Sequence, residues 1–373
     1  MAAKPASLFS TTISAEIPQS HLLRMIQTLE TIRGDMPAMQ PVAEQAADRL
    51  VAGGGLWACG MRPLVGEFWG RAGGLMMIRG IWPPRERLPA SEDVVLGFPE
   101  GSPPLQMADI PDSAFTISFS DKPCAEDVSC LPTHARECGV SPTLAMAACG
   151  WVFTGELVAA LTRMGRMPVI FQTVGAYYGN LRIQQYKWGE IAWHDDHEVP
   201  EIAPGVLGGR YVDAVSAMLR RVEDEERENI DRARDWAHEA RIAGKRLFMY
   251  STGHIFPEEI ENTAIGEVFQ SGVWNAGFPH PTPEDDYSEG DFVSHVGYQH
   301  PPEDLLRKAR AAGARVVYVC LRTDRDFERD QDVIRIDPMW DWSDACVPLE
   351  GYDIPLLAAS GVINGALAWE LAE

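Results

Sequence analysis

The segment that decides the fold is NIDRARDWAHEARIAGKRLFMYS, residues 229–251. Ile230, Ala233 and Ala237 recur at the spacing of one helical face, and Gly244 supplies a helix stop. The apolar run RLFMY that follows predicts a buried strand, which the chain leaves through Ser251 and a short polar turn. The segment therefore predicts a helix, a strand and a second helix start, which is the repeating unit of a parallel α/β sheet.

The same plan occurs twice in the chain. MQPVAEQAADRLVAGGGLWACG (39–60) also has a helical apolar face, a glycine stop and a short strand. Further matches follow in the same order: EDVVLGFPEGSPP (92–104) with GDFVSHVGYQHPP (290–302), DSAFTISFS (112–120) with ARVVYVCLR (314–322), and TLAMAACGWVFTGELV (143–158) with IPLLAASGVINGALAW (354–369). Because the order is kept, we interpret the chain as an internal duplication.

Each copy also starts with a further helix. HLLRMIQTLETI (21–32) precedes the first copy and YVDAVSAMLRRVEDEERENI (211–230) precedes the second, so an antiparallel helix pair is expected at the start of each. PPEDLLRKARAAGA (301–314) predicts an amphipathic helix that the first copy has shortened to SPPLQMADIPD.

The predicted fold class is α/β. Helices alternate with short apolar strands, which favours parallel sheets covered by helices on both faces. We expect two three-layer α/β/α parallel-sheet domains related by duplication. The predicted bounds are an N-terminal arm at 1–20, a shortened first domain at 21–175, a linker at 176–210 and a second domain at 211–373.

Composition excludes several classes of partner. The 373 residues carry a net charge of -22 with a sequence pI of about 4.8, which argues against nucleic acid and anionic membranes. The first 19 residues contain no signal-peptide pattern, and no stretch is expected to reach the length of a membrane span. The seven scattered cysteines form no CxxC pair, so we expect reduced thiols in a cytoplasmic protein.

Four stretches resemble the sugar isomerase (SIS) domain family in tandem arrangement. They are RLFMYSTGHIFPEEIE (246–261), DFVSHVGYQHPPEDLLRKARAAGARVVYVCL (291–321), GYDIPLLAASGVINGALAWEL (351–371) and, in the first copy, GLWACGMRPLVGEFWGRAGG (55–74). The first is similar to the Gly-Thr-Gly-His-Ser loop of bacterial single-domain members, and the tandem resembles the isomerase half of glucosamine-6-phosphate synthase. The resemblance implies SIS-like domains that bind phosphosugars at the carboxyl ends of the strands.

The resemblance also implies which residues bind the ligand. In this family, serines and threonines of the first and third strand loops hold the phosphate. The matching candidates here are Ser251, Thr252 and Gly253 in the first loop and Tyr298, Gln299 and His300 in the third, while Arg62 and Arg71 could balance a substrate anion. Ile255 replaces the serine of the family loop and neither copy keeps a full phosphate loop, so the need for phosphate stays open.

Three residues are candidates for proton transfer. Family members move a proton between C1 and C2 of the sugar with a glutamate or a histidine, and Glu259, His254 and Glu67 stand at matching positions. Glutamates in the first turn of a helix also simply cap it, and this alternative stays open for Glu259.

A metal site is weighed at HDDHE (194–198). His194 and His197 could chelate a divalent ion, but the flanking tryptophan and proline favour an extended segment, so no metal and no cofactor is predicted.

The predicted function is the binding of a sugar or sugar phosphate, with aldose–ketose isomerisation through an enediol as the reaction. The alternative is a non-catalytic sensor for a carbohydrate derivative, and a metal-dependent lyase or hydrolase at His194 and His197 is a third possibility. A homodimer is expected.

Overall fold

A computed structural model of the chain describes residues 20–81, 88–99, 110–173, 178–187, 190–195, 199–251, 266, 268–273, 286–297, 303–321 and 332–373. The helices in these ranges are α1 (His21–Val51), α2 (Arg62–Phe68), α3 (Ala135–Cys138), α4 (Pro142–Arg163), α5 (Gly179–Lys187), α6 (Val206–Ile242), α7 (Glu303–Ala311) and α8 (Ser360–Ala372). The strands are β1 (Leu56–Gly60), β2 (Ile78–Gly80), β3 (Val94–Phe98), β4 (Phe115–Phe119), β5 (Ser129–Leu131), β6 (Met167–Pro168), β7 (His194–Asp195), β8 (Leu247–Ser251), β9 (Gln270–Val273), β10 (Phe292–Val296), β11 (Arg315–Val319), β12 (Val333–Ile336), β13 (Ala345–Leu349) and β14 (Tyr352–Ala358).

Two five-stranded parallel sheets form the framework. The first has the order β2-β1-β3-β4-β5, and the second has the same order read as β9-β8-β10-β11-β12. We call the first sheet with α1 to α4 the first unit, and the second sheet with α6 to α8 the second unit. The prediction of an α/β chain with two parallel-sheet units is confirmed, and the shared strand order is compatible with an internal duplication.

One aspartate has the same role in both units. Asp93 precedes β3, and its carboxylate accepts the backbone N–H groups of Gly55 at 2.6 Å and Ala90 at 2.8 Å. Asp291 precedes β10 and accepts the backbone N–H groups of Arg246 at 3.1 Å and Ser288 at 2.8 Å. Each carboxylate therefore holds the starts of two neighbouring strands together, β1 with β3 in the first unit and β8 with β10 in the second. It does so by accepting hydrogen bonds from backbone N–H groups that lie just before the strands.

Four helices form a layer between the two sheets. α1 and α4 pack on the first sheet, α6 and α8 pack on the second, and the four helices contact one another. Alternate strand residues that face this layer join a single apolar core with it, for example Leu96 in the first sheet and Met249 in the second. The two units therefore share one core.

α4 is buried on all sides. Its residues from Thr143 to Thr162 are all buried, including Trp151 and Phe153. Among the described helices, α4 alone is long and apolar enough to cross a membrane by length and composition, yet it lies wholly inside the protein. The expectation that no segment reaches the length of a span is therefore wrong for α4, whose apolar surface is covered by the neighbouring helices and the first sheet.

The helix pair expected at the start of each unit is a single continuous helix instead. α1 runs unbroken from His21 to Val51 through Pro37 and Pro41, and α6 runs from Val206 to Ile242. Both prolines are exposed, so the carbonyl groups that lose a helical N–H partner can bind water. The domain bounds stay a prediction; α6 begins ahead of the predicted boundary at residue 211.

The amphipathic helix predicted at 301–314 is confirmed over Glu303–Ala311. Its Leu305, Leu306 and Ala309 pack with the outer face of the second sheet. On the outer face of the first sheet, the described cluster is formed by strand and loop residues, among them Trp57 and Val95.

The last predicted match is wrong over part of its length. It pairs 143–158 with 354–369, but 143–158 is entirely helical whereas residues 354 to 358 belong to β14. β14 pairs with β13 in an antiparallel hairpin. This apolar segment of the second unit is therefore a strand, whereas the matching segment of the first unit is part of helix α4. Periodicity does not distinguish the two in a short apolar run.

The expectation of seven reduced thiols is wrong for one pair. Cys124, in the connection between β4 and β5, forms a disulfide with Cys130 of β5, and their Cα atoms lie 5.9 Å apart. The connection folds back on itself and brings the two residues into the range that a disulfide needs. The other five cysteines are free thiols.

The disulfide predicts a thiol count. Protein that is purified without reductant and denatured in the presence of a thiol reagent should react at five cysteines, and after reduction it should react at all seven. Mass spectrometry of a non-reduced digest should recover one linked peptide that contains Cys124 and Cys130. Seven reactive thiols without reduction would contradict the pairing.

The crossing of α4 and α6 predicts a sharp difference between two helical glycines. A Cβ atom at Gly155 would lie 2.9 Å from the backbone nitrogen of Gly208, which cannot move aside. We expect Gly155→Ala to destabilise the protein by about 1–3 kcal/mol in urea unfolding. Gly34→Ala in α1 is the control, because no heavy atom lies within 4 Å of its Cβ position, and it should be neutral or stabilising by about 0.5–1 kcal/mol.

Candidate functional site

The strand order places one topological switch point in each sheet. In the second sheet β9 lies on one side of β8 and β10 on the other, so the connections diverge between β8 and β10. In the first sheet the same divergence lies between β1 and β3. Ligands of open α/β sheets bind outside the carboxyl ends of the strands at such switch points. These two edges are therefore the candidate ligand sites of the fold.

Ser251 lies at the switch point of the second sheet. It is the last residue of β8 and stands level with Val296, the last residue of β10. Only 1% of its surface is exposed, and its Oγ atom has no hydrogen-bond partner. A buried hydroxyl in this state costs roughly 1–3 kcal/mol. At a switch point, a polar ligand is one partner that would complete the hydrogen bonds of this hydroxyl.

An asparagine from the helix layer holds the neighbouring strand end. Asn364 of α8 donates from Nδ2 to the backbone oxygen of Gly297 at 2.7 Å, directly after β10. Its Oδ1 accepts the indole N–H of Trp340 at 3.0 Å. The side chain of Asn364 is thus fixed in orientation by two bonds, and it fixes the backbone at the end of β10.

At the equivalent edge of the first sheet, the end of β3 carries an aromatic ring. Phe98 ends β3 and stacks on Phe68 at 5.1 Å and on Phe119 at 5.0 Å between ring centroids. Gly60, at the end of β1, has φ of 107° and leaves no space for a side chain, since a Cβ atom would lie 2.1 Å from the oxygen of Phe98. The described ends of β1 and β3 therefore carry no polar side chain.

A cluster of buried charges lies where the two units meet. Arg71, which follows α2 in the first unit, is 2% exposed. Its Nη2 lies 2.8 Å from Oδ2 of Asp344 and also donates to the hydroxyl of Ser360 in α8, and its Nε lies 3.5 Å from Oε2 of Glu67. Asp344 also accepts the backbone N–H of Ser360 at 2.9 Å. We call Glu67, Arg71, Asp344 and Ser360 the seam cluster.

Burial controls the acidity of the seam cluster. It raises the pKa of Glu67 to about 7, against the lowering effect of the Arg71 charge, and the carboxylate of Asp344 raises it further. Trp151 donates its indole N–H to Oε1 of Glu67 at 3.1 Å. Burial likewise raises the pKa of Tyr211, whose hydroxyl donates to the oxygen of Ala358 at 3.1 Å. One arginine thus faces two buried carboxyl groups.

The structure describes three of the predicted site residues in or near the sheet edges. Ser251 and Glu67 are placed as above, and Arg62 is an exposed residue that begins α2 after β1. The predicted residues Thr252, Gly253, His254, Glu259, Tyr298, Gln299 and His300 lie outside the described residues. Arg71 is expected from the sequence to balance the charge of a substrate anion. In the structure its guanidinium lies beside the carboxylates of Glu67 and Asp344 instead.

Sequence reasoning missed two buried polar residues near the second edge. One is Asn364, whose neighbours in α8 read as an apolar helix. The other is His295, which stands in β10 level with Tyr250 of β8 and Tyr318 of β11. The sequence FVSHV predicts a buried strand and does not single out its histidine. The alternation of side chains along a strand indicates only that His295 lies on the same face of the sheet as Val293.

The described residues do not support a metal site at His194 and His197. His194 pairs through β7 with Pro168 of β6, and its ring meets Trp193 edge to face at 4.8 Å. Among the residues that the structure describes, no group of three or more His, Cys, Asp or Glu side chains could hold a metal ion. His197 itself lies outside the described residues.

A surface cleft of about 350 Å³ lies at the opposite end of the second sheet. Leu247, at the amino end of β8, lines it together with His238 and Arg241 of α6 and the end of α8. It is therefore separate from the carboxyl edge that Ser251 marks, and its lining of mixed charges specifies no single class of ligand.

Comparisons with known proteins give remote structural likenesses. No protein-family model matches the chain, and no curated protein matches its sequence. The C-terminal domain of glucosamine-fructose-6-phosphate aminotransferase from Francisella tularensis is similar in structure, with a TM-score of 0.49, 10% identity, and coverage of 96% of this chain and 97% of that chain.

Two further solved structures are similar at the same level. A putative sugar binding protein from Salmonella typhimurium LT2 has a TM-score of 0.46, 10% identity, and coverage of 94% of this chain and 98% of that chain. A putative tagatose-6-phosphate ketose/aldose isomerase from Clostridium novyi NT has a TM-score of 0.46, 12% identity, and coverage of 94% and 86%. Likeness at this level does not determine what this chain binds.

The seam cluster predicts a pH-dependent stability. Because the pKa of Glu67 is raised from 4.5 to about 7 in the folded protein, its stabilising contribution is fully present below about pH 4.5 and is lost as the pH rises through 7. A shift of this size corresponds to about 3 kcal/mol. The difference in unfolding free energy between wild type and Glu67→Gln should fall by up to this amount between pH 4.5 and 8, as measured by urea unfolding.

The control for this measurement is Glu92→Gln, since Glu92 is exposed and lies outside the seam cluster. Its difference from wild type should not change over the same pH range. A Glu67→Gln difference that is equally constant would show that Glu67 ionises normally in the folded protein.

Proposed function

We propose that this chain binds a sugar or a sugar phosphate at the carboxyl edge of the second sheet. The observation that carries the proposal is the buried, unpartnered hydroxyl of Ser251 at the switch point between β8 and β10. The first sheet offers apolar rings at the same place, so the second unit is the better candidate for a polar ligand.

The chemistry of the edge suits a ligand with many hydroxyl groups. Ser251 provides a donor and an acceptor, and Asn364 holds the backbone at the end of β10 in a fixed position. A site with preset polar groups selects for hydroxylated ligands, because an apolar ligand would leave those groups unpaired. The resemblance of the sequence to the SIS family also points to a sugar or phosphosugar.

Isomerisation is the reaction that we propose for this site. In an aldose–ketose isomerase, a base removes the proton from C2 of the aldose while O1 gains a proton, which gives an enediol; the same base then returns a proton to C1 while O2 loses its proton and becomes the carbonyl oxygen of the ketose. We propose Glu259 as this base and His254 as the group that polarises the carbonyl. Both follow Ser251 closely in the chain. A homodimer and a cytoplasmic location remain proposals as well.

Glu67 is a second candidate base by its acidity alone. Its pKa of about 7 suits proton transfer at neutral pH. However, none of its surface is exposed and its two oxygens face Trp151 and Arg71, so its position favours a role in the seam cluster over contact with a substrate.

A ligand screen tests the binding proposal. We expect glucose 6-phosphate, fructose 6-phosphate, or the free sugars or gluconate to raise the unfolding free energy by about 2.7 kcal/mol at a hundredfold excess over the dissociation constant. Ser251→Ala should remove most of this gain. Ser216→Ala is the matched control, because Ser216 in α6 is also fully buried with an unpartnered hydroxyl, and the gain should persist in that variant.

The result separates the alternatives. If none of these compounds stabilises the protein, the sugar-binding proposal is wrong. If only unphosphorylated compounds do so, the ligand is not a sugar phosphate. For a bound aldose, deuterium uptake at C2 from heavy water identifies an isomerase, and Glu259→Gln should abolish it while leaving the affinity nearly unchanged. Binding without deuterium uptake supports the alternative of a sensor.

A further inference from the structure

Two groups of buried polar contacts, linked by one turn of α8, join the first unit to the ligand edge of the second. It starts at Arg71 in the first unit, which binds Asp344 and Ser360 of the second unit. It continues along α8 to Asn364, whose side chain reaches the backbone of Gly297. All of these side chains are buried, with at most 2% of their surface exposed.

α8 carries the contact from one end to the other. Ser360 and Asn364 are four residues apart, so they lie one turn apart on the same face of the helix. The first turn of α8 is held at two points, since Asp344 accepts the backbone N–H of Ser360 while Arg71 donates to its hydroxyl. The position of this turn sets the position of Asn364.

Arginine is well suited to this contact. Its planar guanidinium presents several donors in a fixed arrangement, whereas a lysine ammonium is a single flexible point charge. Arg71 uses this geometry to contact Glu67, Asp344 and Ser360 together. A lysine could keep the charge but could not hold all three partners in the same orientation.

We propose that Arg71 is a positioning residue for the site of the second unit. It fixes the first turn of α8 and, through Asn364, the backbone of Gly297 beside Ser251, so that the ligand edge of the second sheet is complete only when the first unit is docked on it. The expected effect of Arg71 on ligand binding rests on the proposed function. The effect of Arg71 on the position of α8 can be tested without a ligand.

The indole of Trp340 reports the position of Asn364, because its N–H donates to Oδ1 of that residue at 3.0 Å. In ¹H–¹⁵N spectra of the full chain, with the signal assigned through Trp340→Phe, we expect Arg71→Lys to shift the Trp340 indole signal. The control is Arg227→Lys. Arg227 holds the far end of the same helix through Glu370 at 3.0 Å, and its replacement should leave the Trp340 signal in place.

Binding is then measured with fructose 6-phosphate as the probe. We expect Arg71→Lys and Asn364→Ala to weaken binding at least tenfold and Arg227→Lys to leave it within twofold. Asn364→Ala keeps Arg71 and its partners intact, so it tests the coupling even where Arg71→Lys does not fold.

The two proposals fail in different ways. An unmoved Trp340 signal in folded Arg71→Lys, or normal affinity in Asn364→Ala, would overturn the positioning role. If wild type does not bind fructose 6-phosphate or the other compounds of the screen, the proposed function fails, while the Trp340 signal still decides whether Arg71 positions α8.

Discussion

The architecture depends on the burial of one apolar helix. α4 has no polar face to turn toward water, so all of its sides must be covered by protein. The first sheet covers one side, and α1, α6 and α8 cover the others. α6 and α8 belong to the second unit, and therefore the hydrophobic effect on α4 alone requires the two units to pack together. The single apolar core that contains both inner sheet faces is the consequence.

The charges at the junction add orientation to this packing. Apolar contact between helices tolerates small rotations, whereas the bonds of Arg71 to Asp344 and Ser360 hold only in one arrangement. A buried arginine without its partners would be strongly unfavourable, so the cluster disfavours other ways of docking the units. The raised pKa of Glu67 is a result of the same burial, which outweighs the lowering effect of the Arg71 charge.

The two sheets have the same strand order but opposite character at their switch points. In the first, the strand ends carry a glycine with no space for a side chain and a stack of phenylalanines. In the second, the matching strand ends at Ser251, whose hydroxyl is buried and unpartnered. The first unit thus provides an apolar support and one arginine to the second. This division explains how two similar sheets can differ in their suitability for a polar ligand.

The fold class and the main strands follow from the sequence alone. Short apolar runs bounded by glycines and polar turns identified β1, β3, β4, β8, β10 and β11, because burial on both faces of a parallel sheet leaves a local signal. The sequence did not determine that α1 passes through Pro37 and Pro41, that residues 354 to 358 form a strand, or that Cys124 and Cys130 pair. Those outcomes depend on what surrounds each segment. Only the tertiary structure brought Arg71 to Asp344 and Ser360, since Arg71 lies more than 250 positions before them and no periodic pattern links a side chain in one unit to a helix start in the other.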